Sequence, residues 1–165
     1  MDEEPRQSYS DAYAARHGGF ALIPAAHVFL TSGDRVLLQR RCGTDYYDGW
    51  WAASAAGHVE PGESAYDAAV RETAEELGVA VGRLRPLTTV HRRGPGPVDR
   101  APEQRVDFYF QAVDWEGEPR PSDGTADALE WFDLRELPEH TVHHERHVLE
   151  LLEAGSLPVI TDFGF

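Results

Sequence analysis

Two apolar or β-favouring runs separated by a short polar segment predict a pair of antiparallel strands near the start of the chain. Residues 22–30 and 35–40 are apolar or rich in β-favouring residues, and the short polar segment between them includes Gly33 and Asp34. Such a segment between two apolar runs is typical of a hairpin turn. Residues 49–56, rich in aromatic and small side chains, then indicate a short buried strand that runs into a loop.

The clearest helix is predicted for residues 64–77. Ser64 is followed three residues later by Asp67, which resembles a capping box, and Gly78 stands where a helix commonly ends. Small and apolar side chains recur at helical spacing along one face, up to Leu77. The helix is therefore expected to bury one face and to expose the other.

The rest of the chain alternates between predicted elements and one long connection. Further strands are predicted at residues 79–91, 105–114 and 128–132, and a last amphipathic helix at residues 145–153. Residues 92–104 are rich in proline, glycine and arginine and are predicted as a loop. Loops of this length in small domains often carry function.

Composition fits one globular domain. The chain has 165 residues, of which 41% are hydrophobic and 27% charged, as expected for a folded protein with a single core. We predict a polar N-terminal arm at residues 1–19 and one domain at residues 20–165. Cys42 is the only cysteine, and the N-terminus lacks the apolar run of a secretory signal. A cytoplasmic location is therefore expected.

The net charge restricts the partners that we expect. A formal charge of −14 repels duplex nucleic acid and anionic membrane surfaces, so neither is a predicted partner. An anionic substrate must therefore bring a cation or meet a local basic patch.

One turn of the predicted helix carries an unusual concentration of acid. Glu72, Glu75 and Glu76 stand at positions i, i+3 and i+4, so their carboxylates project from one face. Arg71 does not neutralise all three, and Glu63 adds a further acid near the helix start. A hard divalent cation is the natural counter-charge, and Mg²⁺ or Mn²⁺ prefers such oxygen ligands.

These residues form a spaced motif that resembles the signature box of the Nudix hydrolases. The matching positions are Gly57, Glu63, Arg71, Glu72, Glu75, Glu76 and Gly78. The resemblance extends over about residues 20–153. It implies an α/β fold, namely an α/β/α sandwich with a mixed β-sheet in which the box is a loop–helix–loop. It also implies hydrolysis of a nucleoside diphosphate linked to another group, usually with Mg²⁺, and it is compatible with a homodimer.

The resemblance assigns roles within the box. It implies that Glu72 and Glu76 bind metal, with Glu75 as a third ligand and the Gly57 carbonyl as a fourth. Glu63 and Arg71 would hold the loop–helix–loop together by a salt bridge, which also makes Arg71 necessary for catalysis.

The base that activates water is left open by the resemblance. It lies either in the box, at Glu75 or Glu76, or on a later loop, where the candidates are Glu103, Glu118 and Asp123. One of these carboxylates must orient or deprotonate the attacking water.

Residues outside the box are candidates for substrate binding. Arg92 and Arg93 are placed to grip phosphates, with balancing of the acidic surface as the alternative. Tyr47 and Trp50 are candidates for stacking on a base, with core packing as the alternative.

The leading functional hypothesis is a metal-dependent pyrophosphohydrolase that acts on a small nucleotide, such as a nucleoside triphosphate or a damaged one. A regulatory domain that binds a nucleotide without cleaving it is one alternative, and an ADP-ribose or nucleotide-sugar pyrophosphatase is another. An isopentenyl-diphosphate isomerase is expected to show a catalytic cysteine in a loop and a degenerate box, and Cys42 alone does not satisfy this.

Overall fold

A mixed sheet and two helices make up the described part of the chain. The structure is a computed structural model that describes Arg16 and residues 22–94 and 104–165. The elements are β1 (Ile23–Ser32), β2 (Arg35–Arg41), β3 (Trp51–Ala52), β4 (Ala55–His58), α1 (Ala65–Leu77), β5 (Ala80–Val81), β6 (Leu84–Arg93), β7 (Gln104–Ala112), β8 (Trp115–Glu116), β9 (Ala126–Asp133), α2 (His143–Glu153) and β10 (Ile160–Phe163). The predicted arm lies outside these residues except for Arg16. Neither helix is long and apolar enough to cross a membrane.

The main sheet has eight strands and mixed pairing. Its strand order is β10-β6-β7-β1-β2-β3, with β4 also paired to β1 and β9 to β2. Strand β1 runs parallel to β7 but antiparallel to β2 and β4. Strands β5 and β8 form a separate pair. The α/β fold with a mixed sheet that the sequence predicted is confirmed.

The alternation of side chains along β1 places one helix on each face of the sheet. Ala26, Val28 and Leu30 belong to the hydrophobic cluster that contains the buried face of α1. Phe29 belongs to a second cluster, which contains Val148 and Leu149 of α2. Successive strand residues point to opposite faces, so His27, two residues before Phe29, faces α2.

Helix α1 begins and ends as predicted. The Ser64 hydroxyl accepts a hydrogen bond from the Asp67 backbone N–H, and the Gly78 backbone N–H donates to the Ala74 carbonyl. Gly78 has a φ of 68°, in the left-handed region where glycine avoids a Cβ clash.

The predicted strand at residues 79–91 is wrong in its extent. It divides into β5 and β6 at Gly82, whose backbone N–H donates to the Asp114 carbonyl. A Cβ at Gly82 would overlap the Asp114 carboxylate, so another residue there would displace that exposed side chain. Strand β10, which the sequence did not predict, pairs in parallel with β6.

The predicted loop at residues 92–104 is also wrong at its ends. Arg92 and Arg93 belong to β6, and Gln104 begins β7, with Arg92 opposite Arg105 across the ladder. Residues 95–103 lie outside the described part of the chain. The extension of both strands changes the surroundings of the two arginines, as the site below shows.

Candidate active site

Arg71 ties the loop before α1 to the acidic face of the helix. Its Nε and Nη2 donate to the two carboxylate oxygens of Glu63 at 2.8 and 3.0 Å. Its Nη1 donates to Glu72 at 2.6 Å and to Glu75 at 3.3 Å, and Nη2 also reaches the His58 carbonyl at 3.1 Å. The hydrogen bonds from Arg71 lower the pKa of Glu63 to about 2. One guanidinium therefore holds three carboxylates of the box.

Glu76 is the buried acid of the group, with 7% of its surface exposed. Its Oε2 accepts hydrogen bonds from the Gln39 side chain at 2.7 Å and from the Ala56 backbone N–H at 3.3 Å. Burial, together with the nearby charges of Asp123 and Glu72, raises the pKa of Glu76 to about 8. Both hydrogen-bond donors are neutral, so this carboxylate lacks the cation that a buried charge requires.

Gly57 allows β4 to approach the acidic face of α1. A Cβ at this position would overlap the carboxylate of Glu72, so any other residue would displace that side chain. Burial raises the pKa of Glu72 despite the hydrogen bond from Arg71. The glycine of the predicted motif thus has a steric reason, apart from the metal contact predicted for its carbonyl.

The donor set of this region fits a hard divalent cation. The negative charges of Glu72 and Asp123 both raise the pKa of Glu76, so three acidic side chains act on one another in this region. Carboxylate oxygens are the ligands that Mg²⁺ and Mn²⁺ prefer, and the hydrogen bonds that the described residues donate to the Glu76 carboxylate come from neutral groups. Glu75 is more open, with 56% of its side chain exposed. Which metal binds, and through which oxygens, stays a prediction.

The candidates for the base lie in different surroundings. Glu118 is paired with Arg120 at 2.9 Å, and 78% of its side chain is exposed. Asp123 is the loop carboxylate whose charge acts on Glu76, because the Ser122 backbone N–H donates to the Glu76 carbonyl and holds this loop against α1. Glu103 lies outside the described residues.

A cavity of about 310 Å³ lies on the α2 face of the sheet and meets the box at Gly57. It is lined by Ala25, His27, Arg41, Tyr46, Ala56, Gly57, His58, Arg92, Arg105, Val142, His144 and Glu145. The register of the strands explains this convergence, since His58 stands opposite Ala25 and Arg105 opposite Arg92. Residues opposite each other in a ladder project from the same face.

The floor of the cavity is a buried chain of alternating charges. His27 Nδ1 lies 3.1 Å from Glu145 Oε1, and His27 Nε2 lies 3.6 Å from Asp107 Oδ1. Arg92 Nε donates to the other Asp107 oxygen at 2.7 Å, and the Ala53 backbone N–H donates to Glu145 Oε2 at 2.6 Å. Two acids thus face two basic side chains.

Neighbouring opposite charges set the protonation states of His27 and Asp107. Burial lowers the pKa of His27, but Asp107 and Glu145 outweigh it and raise the value to about 9. Burial likewise opposes ionisation of Asp107, yet the charges of His27 and Arg92 hold its pKa well below the usual range. His27 is therefore protonated and Asp107 ionised at neutral pH.

The same floor holds a cluster with ligand-like geometry. One ligand atom each of His27, His144 and Glu145 lies within 4.8 Å of the others. A bound metal ion would require His27 to lose the proton that balances its two acidic neighbours. The charge pattern therefore favours a proton over a metal ion at this position.

The sequence analysis missed His27, Asp107, His144 and Glu145 as site residues. A usable signal was present, because His27 and Asp107 interrupt apolar runs at positions that must face the core. Buried ionisable residues in a cleft often mark functional sites.

The candidates for substrate binding are only partly brought together. Arg92 lines the cavity, whereas Arg93 does not. Tyr47 and Trp50 pack edge to face with ring centroids 5.2 Å apart, and each also contacts His143 of α2. Among the described residues, Tyr46 is the aromatic side chain of this loop that lines the cavity.

Removal of the Asp107 charge is expected to be strongly destabilising. Replacing Asp107 by asparagine leaves Arg92 without its buried counter-charge and leaves protonated His27 with Glu145 alone, and loss of one partner of a buried pair typically costs about 3 to 5 kcal/mol. We expect Tm to fall by about 10 °C at neutral pH. Because folding lowers the pKa of Asp107, the stability that Asp107 contributes is present above the pKa of the unfolded state. This contribution is lost as the pH falls through the lower pKa of the folded state.

The matched control for this experiment is Asp127→Asn. Asp127 pairs with Arg40 at 2.7 Å, but 48% of its side chain is exposed, and such surface pairs contribute at most about 1 kcal/mol. Thermal unfolding at pH 7 measures both variants. Equal Tm values for the two would contradict the buried charge chain.

Comparison with known proteins agrees with this fold and motif. The NUDIX domain family model matches residues 21–152. The MutT NUDIX hydrolase from Burkholderia pseudomallei superposes with a TM-score of 0.67 and 29% identity, over 79% of this chain and 97% of that one. The E. coli ORF135 protein, with a TM-score of 0.67 and 23% identity over 83% and 92% of the two chains, shows the likeness of fold.

Curated relatives carry different activities in their names. Isopentenyl-diphosphate Delta-isomerase 2 of Aromatoleum aromaticum is 33% identical over 83% of this chain and 72% of the relative. NAD-capped RNA hydrolase NudC of Pseudomonas aeruginosa is 32% identical over 79% of this chain and 44% of that protein. The isomerase of Streptomyces griseus is 36% identical over 61% of this chain, and the match spans about half of that relative, 52%.

Proposed function

Because the chain belongs to the Nudix family, we propose that it is a metal-dependent pyrophosphohydrolase that cleaves the diphosphate linkage of a small nucleotide. The observation that carries the proposal is the buried carboxylate of Glu76, which has neutral hydrogen-bond donors and two acidic neighbours. A buried acid of this kind destabilises the fold unless it binds a cation.

The residues of the box divide the work between binding and positioning. Glu72, Glu75 and Glu76 would hold the cation, and Gln39 fixes the orientation of the Glu76 carboxylate by its 2.7 Å hydrogen bond. A bound Mg²⁺ or Mn²⁺ would shield the charge of the diphosphate and lower the pKa of a water. Arg71 fixes the position of the preceding loop relative to α1 through its hydrogen bonds to Glu63 and to the His58 carbonyl. The water is oriented by a box glutamate or by Asp123, whose loop lies against α1.

An isomerase activity is the alternative that the curated relatives raise. The only cysteine, Cys42, donates its S–H to the Gly124 carbonyl at 3.6 Å and does not line the described cavity. The complete set of box carboxylates also favours hydrolysis. Incubation with isopentenyl diphosphate tests the alternative, because an isomerase yields an isomeric diphosphate, whereas a hydrolase specific for nucleotides leaves this compound unchanged.

The direct test is a screen of nucleoside diphosphate derivatives with Mg²⁺ that reads released phosphate or pyrophosphate. The screen includes nucleoside triphosphates, ADP-ribose and nucleotide sugars, which cover the alternative substrates. Cleavage of at least one class supports the proposal. Tight binding without turnover would instead assign a regulatory role.

Small nucleotides are expected to be better substrates than RNA. A chain with a charge of −14 repels a long polyanion, whereas a mononucleotide that carries Mg²⁺ brings little net charge. We expect kcat/KM for the best small nucleotide to exceed that for a 5′-triphosphorylated RNA oligomer at physiological salt. The reverse order would overturn the small-nucleotide assignment and leave the metal chemistry intact.

A further inference from the structure

The cavity is unusually cationic for this protein. Among the described residues, three arginines line it, Arg41, Arg92 and Arg105, against one carboxylate, Glu145. The chain as a whole carries a charge of −14, so this local excess of positive charge runs against the overall composition. Cationic side chains that converge on a concave site are typical of a site for an anion.

The acidic groups of the floor are already engaged. Both oxygens of Glu145 accept hydrogen bonds, one beside His27 and one from the Ala53 backbone N–H. Asp107 does not itself line the cavity, and it is held between His27 and Arg92. The floor therefore offers few free acceptors to a ligand, and its acids serve to fix the position of Arg92.

Hydrogen-bond donors remain available around the cavity. Arg105 donates to His58 Nε2 at 2.8 Å, and it forms no ion pair with a carboxylate of residues 22–94 or 104–165. Arg92 keeps its Nη groups free of acids, with one 3.4 Å from the Tyr46 hydroxyl. The buried ring of His144 also lines the cavity. A ligand group rich in acceptor oxygens fits these donors.

We propose that the cavity binds a phosphate monoester of the substrate, separate from the diphosphate that is cleaved. The inference rests on the proposed function for the placement of the diphosphate, since the cavity and the box meet at Gly57. It narrows the substrate to a small nucleotide diphosphate that carries one further phosphate. An uncharged group in the cavity would desolvate Arg92 and Arg105 without supplying an acceptor to the donors that they do not already use.

Matched substrates that differ by one phosphate monoester test the proposal. NADPH and NADH form one pair, and coenzyme A and dephospho-coenzyme A form another. With Mg²⁺ present, the phosphorylated member of at least one pair is expected to show a kcat/KM at least about tenfold higher, mainly through a lower KM. Equal values in both pairs, or preference for the unphosphorylated member, would overturn the proposal.

Arg105→Gln is the variant that probes the cavity. Arg105 lacks a buried counter-charge, so its loss is tolerated better than that of Arg92, which would leave Asp107 with His27 as its one cationic partner among the described residues. The variant is expected to lose the preference for the phosphorylated member, and Arg105→Lys is expected to restore part of it. Arg85→Gln, on the same strand as Arg92 but bonded to Gln111, is the control that keeps the preference. A preference that survives in Arg105→Gln would contradict the assignment.

Binding without metal separates this proposal from the hydrolase activity. In EDTA, titration calorimetry compares adenosine 3′,5′-bisphosphate with adenosine 5′-monophosphate. The bisphosphate is expected to bind the parent protein at least about tenfold more tightly, and this difference is expected to vanish in Arg105→Gln. If no nucleotide is hydrolysed with Mg²⁺, the proposed function fails while this measurement still decides the role of the cavity. Equal affinities of the two nucleotides for the parent protein would overturn the proposed phosphate site.

Discussion

Replacing Glu76 by glutamine is expected to lower kcat by at least about a hundredfold and to leave the fold intact. The amide oxygen of glutamine can still accept the hydrogen bonds that Gln39 and the Ala56 backbone N–H donate to Glu76. The substitution therefore removes the charge and little else. Steady-state kinetics against the best substrate, with circular dichroism on the same preparation, measures the effect. Near-normal turnover with an unchanged spectrum would remove Glu76 from the site.

The same substitution is expected to stabilise the protein without metal. Burial raises the pKa of Glu76 to about 8, so the folded state disfavours the ionised form. The contribution of Glu76 to the stability of the parent protein is therefore fully present below the pKa of the unfolded state and is lost as the pH rises through about 8. In EDTA at about pH 9, Glu76→Gln is expected to raise Tm by several degrees.

Glu153→Gln is the matched control, because Glu153 is an exposed residue of α2. It makes the same chemical change without altering a buried charge and is expected to leave both Tm and kcat unchanged. A lower Tm for Glu76→Gln at high pH would contradict the interpretation of Glu76 as a buried, uncompensated acid.

Local features of the sequence predicted α1 and the box well. The caps of α1 depend on Ser64 and Gly78, which act on residues within one turn. The contacts of Arg71 with Glu63, Glu72 and Glu75 also lie within about two helical turns of one another. Information of this range is present in a short window of the sequence, so the acidic face could be predicted before its geometry was known.

The floor of the cavity depends on pairing over long distances in the chain. His27 and Glu145 are 118 positions apart, and they meet because α2 covers that face of the sheet. His27 and Asp107 meet because β1 pairs with β7. Neither contact follows from local spacing. Arg92 was predicted in a loop because proline and glycine follow it, whereas pairing of β6 with β7 extends the strand through Arg93.

A divalent cation is expected to be essential for activity. Carboxylates grouped on one turn of α1 repel one another without a cation, and Arg71 does not reach Glu76 by any hydrogen bond within residues 22–94 and 104–165. Excess EDTA is expected to reduce turnover by at least about a thousandfold, with recovery on addition of Mg²⁺ or Mn²⁺. Ca²⁺ is expected to restore activity poorly because its coordination is longer and looser. Full activity in excess EDTA would contradict the prediction.

Stabilisation by the metal gives the same prediction a readout that is independent of turnover. A carboxylate must be ionised to bind the cation, and the pKa of Glu76 without metal is raised to about 8. The increase in Tm that Mg²⁺ produces is therefore expected to grow as the pH rises from about 6 to 9, because fewer protons compete for the site. In Glu76→Gln this dependence on pH is expected to disappear. An equal increase at both pH values in the parent protein would show that the cation binds without Glu76, even if hydrolysis still required it.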